Sequence, residues 1–280
     1  MGWSEENIKE VIEITGLPTE IKVAEILKKN KWSISHQFPY LDSDKNIIRT
    51  LDLKATKSFK KSNNLKNDTS NNYFNFLLFI ECKKSFQRSW VFATEKMPNN
   101  YIDYRITRLS HDFVYDTYNL TINLLTRSEE HTIPKNIFSK IPVIYQNIDY
   151  KIGLSHEIAF RNIEKQKKDV ERAQKYFYVA QMQLLKAIDH QEHLIMMENY
   201  IKMQDIDMII PLIVFNGNMF ECYYEKDDLI IKKIDFIRYL THGLPNQKMP
   251  VLIDVTTLNF FPEYLNLLEG EIRYINRRYK

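Results

Sequence analysis

The most continuous apolar stretch of the chain runs from Tyr73 to Ile80, where seven of eight residues are aromatic or aliphatic. A run without polar alternation predicts a β-strand that is buried on both faces, and its Phe and Tyr content favours a strand over a helix. The run ends abruptly in Glu81, Cys82, Lys83 and Lys84. Because successive side chains of a strand point to opposite faces, we expect Glu81 and Lys83 on one side and Cys82 on the other.

Two helices are predicted ahead of the first strand. Ser4 is a helix N-cap residue type, and an apolar stripe at helical spacing follows it. Pro18 then introduces a second helix over Thr19–Asn30, because proline fits the first turn of a helix. On this helix Glu20 shares the face of the apolar positions, whereas Glu25 lies among lysines. The spacing therefore predicts that Glu20 faces the core and Glu25 faces solvent.

A hairpin is predicted from the two segments Trp32–Leu41 and Ile47–Thr56, which flank an acidic turn. Alternation along the second strand places Leu51 and Leu53 on one face and Asp52 on the opposite, polar face. Asp52 is therefore expected beside the apolar strand that follows in the chain.

The rest of the chain alternates further strands with helices. Residues 58 to 72 contain almost no apolar side chain and predict a mobile loop. The remaining expected elements are a sheet extension at Ser89–Thr94, a helix at Asp112–Leu125, a strand at Ile141–Ile148, a helical stretch over Glu157–Gln204, a hairpin of Ile209–Phe215 and Met219–Tyr224 around Asn216-Gly217, a strand at Val251–Thr256 and a helix at Pro262–Glu269. This mixture predicts an α/β protein with a mixed central sheet flanked by helices.

Length and composition limit the class of protein. The 280 residues, of which 44% are hydrophobic, suffice for a full core, and we favour one elaborated domain over two. No apolar run reaches the roughly 18 residues of a spanning helix, and no signal-peptide pattern is present, so we expect a cytoplasmic protein without a membrane partner. Cys82 and Cys222 are far apart and lack C-x-x-C spacing, which argues against a disulfide framework or a zinc site.

The distribution of positive charge is more informative than the net charge of +3. Basic residues cluster immediately before and after the apolar strand. Such clusters are most often solvated surface, but they also suit contact with a nucleic-acid backbone. The candidates for that contact are Lys54, Lys57, Lys60, Lys61, Lys84 and Arg88.

Three carboxylates converge in these predicted elements: Glu20 on a helix, Asp52 on a strand and Glu81 at the end of the central strand. Acids brought together repel, and each buried charge costs several kcal/mol unless it is compensated. Oxygen ligands without His or Cys favour Mg²⁺ or Mn²⁺, which also bind phosphate oxygens. Lys83, on the side of Glu81, is placed to orient a water molecule or to balance charge in a transition state.

The order of helix, hairpin strand and E-x-K strand resembles the PD-(D/E)xK nuclease superfamily, which has the restriction-endonuclease-like fold. The segments that carry the resemblance are PTEIKVAEILKKNKW, IIRTLDLKA and FLLFIECKKS. The resemblance implies that Asp52 and Glu81 bind Mg²⁺ or Mn²⁺, that Lys83 stands beside the attacking water, and that Glu20 and the carbonyl of Cys82 support the metal.

The same resemblance implies a function and a division of the chain. One domain is expected, with its core in residues 17–96 and 157–224, a helical insertion at 97–155 and a C-terminal extension at 225–280. The expected activity is metal-dependent endonucleolytic hydrolysis of phosphodiester bonds, with DNA as partner, in bacterial defence, restriction or repair. A homodimer is expected if both strands are cut, and an activating partner protein if the isolated chain does not cut. The alternatives are a non-catalytic nucleic-acid- or protein-binding module on the same fold and a junction- or RNA-specific nuclease.

Other candidate groups are better explained without chemistry. His190 and His193 share a helix face and suit a metal, but a solvated polar face explains them more simply. His111-Asp112 lacks the further His and Asp residues of a metal phosphohydrolase. The aromatic run at 176–178 is expected in the core rather than as a stacking platform, and Trp90 suits either packing or contact with a nucleic acid.

Overall fold

The protein is described by a computed structural model that covers residues 4–60, 73–85, 88–96, 113–114, 123–124, 151–160, 163–198, 206–241 and 251–278. The helices in these ranges are α1 (Glu5–Glu13), α2 (Leu17–Lys29), α3 (Ile163–Glu198) and α4 (Phe261–Arg278). The strands are β1 (Ser33–Asp42), β2 (Ile47–Lys60), β3 (Tyr73–Lys84), β4 (Arg88–Lys96), β5 (Phe113–Val114), β6 (Asn123–Leu124), β7 (Lys151–Phe160), β8 (Ile206–Asn216), β9 (Met219–Glu225), β10 (Asp228–Ile234), β11 (Phe236–Thr241) and β12 (Val251–Thr257). The predicted α/β class with a mixed sheet is confirmed.

Ten strands form one sheet in the order β1-β2-β3-β8-β12-β11-β7-β4-β9-β10, and β5 and β6 pair separately. The strands β1, β2 and β3 are antiparallel neighbours, which confirms the predicted hairpin, whereas β3 and β8 are parallel. Parallel strands bring their carboxyl ends to the same edge of a sheet. At that edge Lys84 pairs with Asn216, and the amide of Ser85 donates to the Asn216 carbonyl at 3.1 Å.

The central strand β3 is buried on both faces, as its unbroken apolar run predicts. Phe76 and Leu78 pack in a core cluster with side chains of α2 and α4. Leu77 and Phe79 pack in a second cluster, on the face that α3 covers. The protein is therefore built in three layers around this part of the sheet, with helices on both faces.

Helix α2 packs against the sheet through the stripe that its sequence predicts. Val23, Ala24 and Leu27 are buried, because residues three and four apart share one face of a helix. Glu20 is partly buried at the edge of this stripe, and Glu25 is exposed. The predicted difference between the two carboxylates is therefore confirmed.

Strand β2 departs from the predicted alternation next to Asp52. Leu51 packs in the cluster that contains α3, whereas Leu53 packs in the cluster that contains α2. The expectation that both leucines share a face is therefore wrong. On the neighbouring strand β1, Gln37 has a φ of 48°, in the left-handed region that a residue with a side chain rarely adopts. The irregular backbone of β1 and the change of face in β2 occur at the same level of the sheet, beside Asp52.

The expected hairpin at Asn216-Gly217 is wrong. Strand β9 does not pair with β8; it is parallel to β4 and antiparallel to β10. The physical reason is that β8 already has β3 and β12 as neighbours, so it offers no free edge to β9. The chain instead crosses to β4, where the amide of Trp90 donates to the carbonyl of Asn218 at 3.0 Å.

Three expected boundaries also differ. Residues 58–60 of the expected loop 58–72 belong instead to β2, which continues through Lys60. The helix assigned to Asp112–Leu125 is wrong at residues 113–114 and 123–124, which pair as strands. The long helix begins at Ile163 rather than at Glu157, because residues 157–160 belong to β7. Residues 61–72 and the strand expected at Ile141–Ile148 lie outside the described ranges.

The expected insertion and extension are also changed. Within 97–155 the described residues are those of β5 and β6 and the start of β7, all in strands, so a helical character is not found there. The expected extension at 225–280 supplies β12, which lies between β8 and β11, and α4, whose Tyr264 and Leu265 are completely buried. Strand β12 and the buried face of α4 up to Leu268 are therefore part of the core. Among the described helices, none is long and apolar enough to cross a bilayer.

Candidate active site

A cleft of about 510 Å³ opens at the edge of the sheet where β3 and β8 end. Its walls come from the α1–α2 junction, α2, β2, β3, β4, α3 and β8. The lining residues are Ile14, Gly16, Glu20, Asp52, Cys82, Lys83, Lys84, Ser85, Arg88, Trp90, Tyr176 and Phe215. Three of the four predicted catalytic residues, Glu20, Asp52 and Lys83, thus line one cleft, whereas Glu81 lies behind it.

Glu81 and Lys83 form a close ion pair on the face predicted for both. The Lys83 Nζ atom donates to Oε2 of Glu81 at 2.6 Å, and the Glu81 side chain is completely buried. Nζ also lies 3.5 Å from Oε1 of Gln183 on α3, a contact that the sequence did not reveal. Among the described residues, Oε1 of Glu81 has no hydrogen-bond partner although it is buried. One oxygen of this carboxylate is therefore compensated and the other is not.

The protonation of this pair follows from its burial. Burial raises the pKa of Glu81 to about 7, although Lys83 acts in the opposite direction, and the negative charge of Asp52 raises it further. Burial alone would lower the pKa of Lys83, but the neighbouring carboxylates of Glu81 and Asp52 outweigh it, and the net pKa is raised. Lys83 is therefore an ammonium at neutral pH, while Glu81 titrates close to neutrality.

Asp52 is fixed by the backbone of the central strand. Its Oδ2 accepts a hydrogen bond from the amide of Cys82 at 2.7 Å. Burial raises the pKa of Asp52, while Lys83 and this amide partly offset the effect. The Cys82 side chain points to the opposite face, into the cluster with α2, as predicted, and burial raises its thiol pKa well above the usual range. Of the two groups of Cys82, the thiol and the backbone carbonyl, only the carbonyl is therefore a reasonable metal ligand.

Glu20 reaches the cleft from the first turn of α2. Its Oε2 accepts from the side chain of Gln37 at 3.4 Å, so the residue with the left-handed backbone also positions this carboxylate. Burial raises the pKa of Glu20, and the negative charge of Asp52 raises it further. The negative charge of Asp52 thus adds to burial in raising the pKa of both Glu20 and Glu81, which is the mutual repulsion expected of converging acids.

Lys54 and Lys57, two of the predicted nucleic-acid contacts, instead bind side chains of the helices that cover the sheet. Nζ of Lys54 donates to Gln191 on α3 at 2.8 Å and lies 4.4 Å from the centre of the Phe38 ring. Nζ of Lys57 pairs with Glu269 on α4 at 2.8 Å. These lysines are partly buried on opposite faces of the sheet and do not line the cleft, so the expected joint cationic surface before β3 is not formed by them.

Lys84 and Arg88 do line the cleft. Nζ of Lys84 contacts the carbonyl oxygen of Glu13 at the end of α1. The guanidinium of Arg88 lies over the ring of Tyr176, with its central carbon 4.7 Å from the ring centre. The cationic residues that follow β3 thus meet the acidic ones at the same opening.

The aromatic run of α3 is divided between core and cleft. Phe177 is completely buried, as expected, but Tyr176 and Tyr178 are each 54% exposed, so their assignment to the core is wrong. The spacing of the buried residues Phe177, Ala180 and Leu184 would have separated them, because a helix buries positions three and four apart. At the floor of the cleft Trp90, only 2% exposed, stacks on Phe215 with ring centres 3.9 Å apart.

Some predicted residues cannot be placed. The side chain of Lys60, together with Lys61 and His111, lies outside the described part of the chain. His190 and His193 are on α3, where His193 is exposed and His190 partly buried. Within the described ranges, no three His, Cys, Asp or Glu residues are close enough to form a metal cage.

A magnesium-like cation needs few protein ligands. Such ions keep several waters and commonly use only one or two carboxylates of a protein together with substrate phosphates. The buried Oε1 of Glu81 has no hydrogen-bond partner among the described residues. Burial raises the pKa of Glu20, Asp52 and Glu81 and so disfavours their charged forms, which a bound divalent cation would favour.

Comparisons of the chain with protein-family models, with curated proteins and with solved structures gave no match. The resemblance to PD-(D/E)xK nucleases therefore stays a prediction, and the functional argument rests on the chemistry of the cleft.

Proposed function

We propose that this protein is an endonuclease that hydrolyses phosphodiester bonds in DNA with Mg²⁺ or Mn²⁺, on a restriction-endonuclease-like core. The observation that carries the proposal is the arrangement at the end of β3. Asp52 lines the cleft and accepts from the amide of Cys82 at 2.7 Å, and Lys83 lines the cleft and pairs at 2.6 Å with the buried Glu81. The order α2, β1, β2 and β3, followed after the intervening strands β4 to β7 by α3 and by β8 parallel to β3, supports a core of this kind. The two free cysteines fit a reducing, cytoplasmic location.

The acidic side chains would hold the cation. Asp52 and Glu81 would be its ligands, with Glu20 and the carbonyl of Cys82 beside them. A bound divalent cation supplies charge neutralisation at the phosphate and a lower pKa for an attacking water. The amide of Cys82, the residue after Glu81, holds Asp52 next to the end of the central strand.

Lys83 would act as a hydrogen-bond donor. Its raised pKa keeps it protonated at neutral pH, so it does not accept a proton from water. An ammonium at the cleft wall stabilises the negative charge that develops on phosphate oxygens in the transition state. Glu81 holds this ammonium from behind, which fixes its position.

A second candidate function is binding of nucleic acid without hydrolysis. It is favoured by the pairing of Glu81 with Lys83 and by the lack of a three-ligand metal group within the described residues. In this case Lys83, Lys84 and Arg88 would contact phosphates, and the acids would only position Lys83.

The decisive experiment incubates the protein with supercoiled plasmid, single-stranded DNA and RNA, in Mg²⁺, in Mn²⁺ and in EDTA. We expect cation-dependent cutting that Asp52→Asn and Glu81→Gln each reduce by about 100-fold or more. The effect of Glu20→Gln is compared with that of Glu25→Gln, because both residues lie on α2 but only Glu20 lines the cleft. Glu25→Gln should leave the cutting rate unchanged.

Each outcome has a distinct meaning. Cutting that survives Asp52→Asn refutes the assigned site. Binding without cutting of any substrate favours either the binding module or a nuclease that needs an activating partner. In the second case, addition of a cell extract would restore cutting. Linear plasmid that forms without a nicked intermediate would indicate that two centres act together, as in a homodimer.

A further inference from the structure

The cleft has a second half that the hydrolysis described above does not use. The first half of the cleft contains the acids Glu20 and Asp52 and the ammonium of Lys83. The second half is cationic and aromatic, with Lys84 at the end of β3, Arg88 on β4 and Tyr176 on α3. A pocket for a metal and a phosphate alone would not need an aromatic wall.

The geometry of this second half suits a flat ligand next to a phosphate. The Arg88 guanidinium lies over Tyr176 at 4.7 Å, and more than half of the Tyr176 side chain is still exposed. Below them the stacked rings of Trp90 and Phe215 form a rigid floor, because both are almost completely buried. Aromatic rings and guanidinium planes are the groups on which proteins stack unpaired bases.

The size of the cleft restricts what can enter. Its volume of about 510 Å³ lies in the range of small-molecule pockets and can enclose a nucleotide. A paired duplex cannot insert its bases into a pocket of this kind without unpairing and unstacking them. A base that is already unpaired avoids this cost.

We propose that this half of the cleft binds one unpaired nucleotide beside the reacting phosphate, so that the preferred substrate is a single strand or a frayed end rather than an intact duplex. Tyr176 stacks on the base, and Arg88 and Lys84 contact the backbone. The role of the subsite in cleavage rests on the proposed nuclease function, but its binding of an unpaired nucleotide is measurable by itself.

The test is fluorescence anisotropy in EDTA, where no cation-dependent hydrolysis occurs. The probes are labelled oligothymidine and oligouridine of about 12 nucleotides and a duplex of the same length, within the site size of single-strand binders. We expect tighter binding of a single strand than of the duplex. Tyr176→Ala should lower the single-strand affinity by about 5- to 10-fold, and Tyr176→Phe should retain most of it because the ring remains.

Tyr178→Ala is the matched control. Tyr178 is on the same helix and is equally exposed, at 54%, but it does not line the cleft. Its replacement should leave all affinities unchanged. The two single-stranded probes then show whether DNA or RNA is preferred.

The proposal is overturned if the duplex binds as tightly as the single strands, if no probe binds, or if Tyr176→Ala and Tyr178→Ala have the same effect. Failure of the nuclease proposal looks different. Single-strand binding would then still depend on Tyr176. The bound strand would not be cleaved in Mn²⁺, and the Asp52→Asn variant would behave like the wild type in that assay. If the protein cuts but Tyr176→Ala leaves both cutting and binding unchanged, the nuclease proposal stands and the nucleotide subsite is refuted.

Discussion

The ion pair between Lys83 and Glu81 gives the sharpest prediction about the site, and Lys83→Met is the perturbation. Methionine keeps much of the length of the lysine stem and removes its charge. Glu81 is completely buried and its contact with Nζ is 2.6 Å, so the change leaves a buried carboxylate without its cation. The carboxylate can escape this cost only by keeping its proton.

The size of the effect follows from the titration of Glu81. Its pKa of about 7 in the folded protein is above its ordinary value of 4.5, so its favourable contribution to stability is complete below 4.5 and is lost as the pH rises through 7. Without Lys83 the pKa rises further, and the folded variant keeps one proton more than the wild type above pH 7. Above pH 7 the variant therefore loses up to about 1.4 kcal/mol of stability relative to the wild type for each pH unit, until the pH reaches the higher pKa that Glu81 has in the variant.

The assay is urea unfolding followed by the fluorescence of the buried Trp32 and Trp90, for both proteins at about pH 6, 8 and 9. The difference at pH 6 reports only lost packing, because Glu81 is then protonated with or without Lys83. The double variant Lys83→Met with Glu81→Gln is the control, since it has no titrating carboxylate at this position. Its stability difference from the wild type should not show the additional loss above pH 7 that Lys83→Met shows.

A difference between Lys83→Met and the wild type that stays constant from pH 6 to 9 would refute the reasoning. It would mean that Glu81 is already ionised and solvated at pH 6, and that the pair is a surface contact. If the double variant shows the same loss of stability per pH unit above pH 7, a group other than Glu81 causes that loss.

Two further predictions concern the packing behind the site. Tyr264→Phe removes a buried hydroxyl that donates to Oδ2 of Asp254 at 2.8 Å, so we expect a loss of about 1–3 kcal/mol by urea unfolding; an unchanged midpoint would contradict a real bond. Gly217→Ala would place a Cβ 2.5 Å from the ring of Phe215 at the cleft floor, and we expect overpacking to cost about 1–3 kcal/mol. Gly270→Ala, in α4 with no atom within 4 Å of the new Cβ, should instead stabilise by up to about 1 kcal/mol in thermal unfolding; equal effects of the two alanines would show that the floor is not tight.

The sequence predicts those parts of the fold in which one residue pattern has one structural explanation. The aromatic-rich apolar run Tyr73–Ile80 predicts a strand between two layers, and Phe76–Ile80 are buried on both faces of β3. The helical period alone predicts that Glu20 is more buried than Glu25. The strand that β9 pairs with could not be predicted in this way. Asn216-Gly217 is a turn signal in any context, and a hairpin is excluded only because β3 and β12 already pair with both edges of β8.

The site was predictable in its residue types and less so in its contacts. Local alternation places Glu81 and Lys83 on one face, and the structure joins them. The same rule failed at Leu51 and Leu53, because the irregular backbone at Gln37 has no clear signal in the sequence. Charge alone could not separate Lys84, which lines the cleft, from Lys54 and Lys57, which bind side chains of α3 and α4.

The position of the site follows from the burial of β3. A strand covered on both faces brings any acid at its end into an apolar environment, so Glu81 must be neutralised by a proton, by Lys83 or by a cation. The lysine two residues later is the nearest group on the same face, and it satisfies one oxygen of the carboxylate. The second oxygen has no partner in the described residues, and Asp52 is held nearby by a backbone amide that keeps its negative charge in place. A fold selected only for stability would have replaced Glu81 with an apolar residue, since exchanging a buried ion pair for hydrophobic packing is often neutral or stabilising. The buried ion pair therefore supports the proposed site, in which a divalent cation and a phosphate would bind beside Glu81 and Lys83.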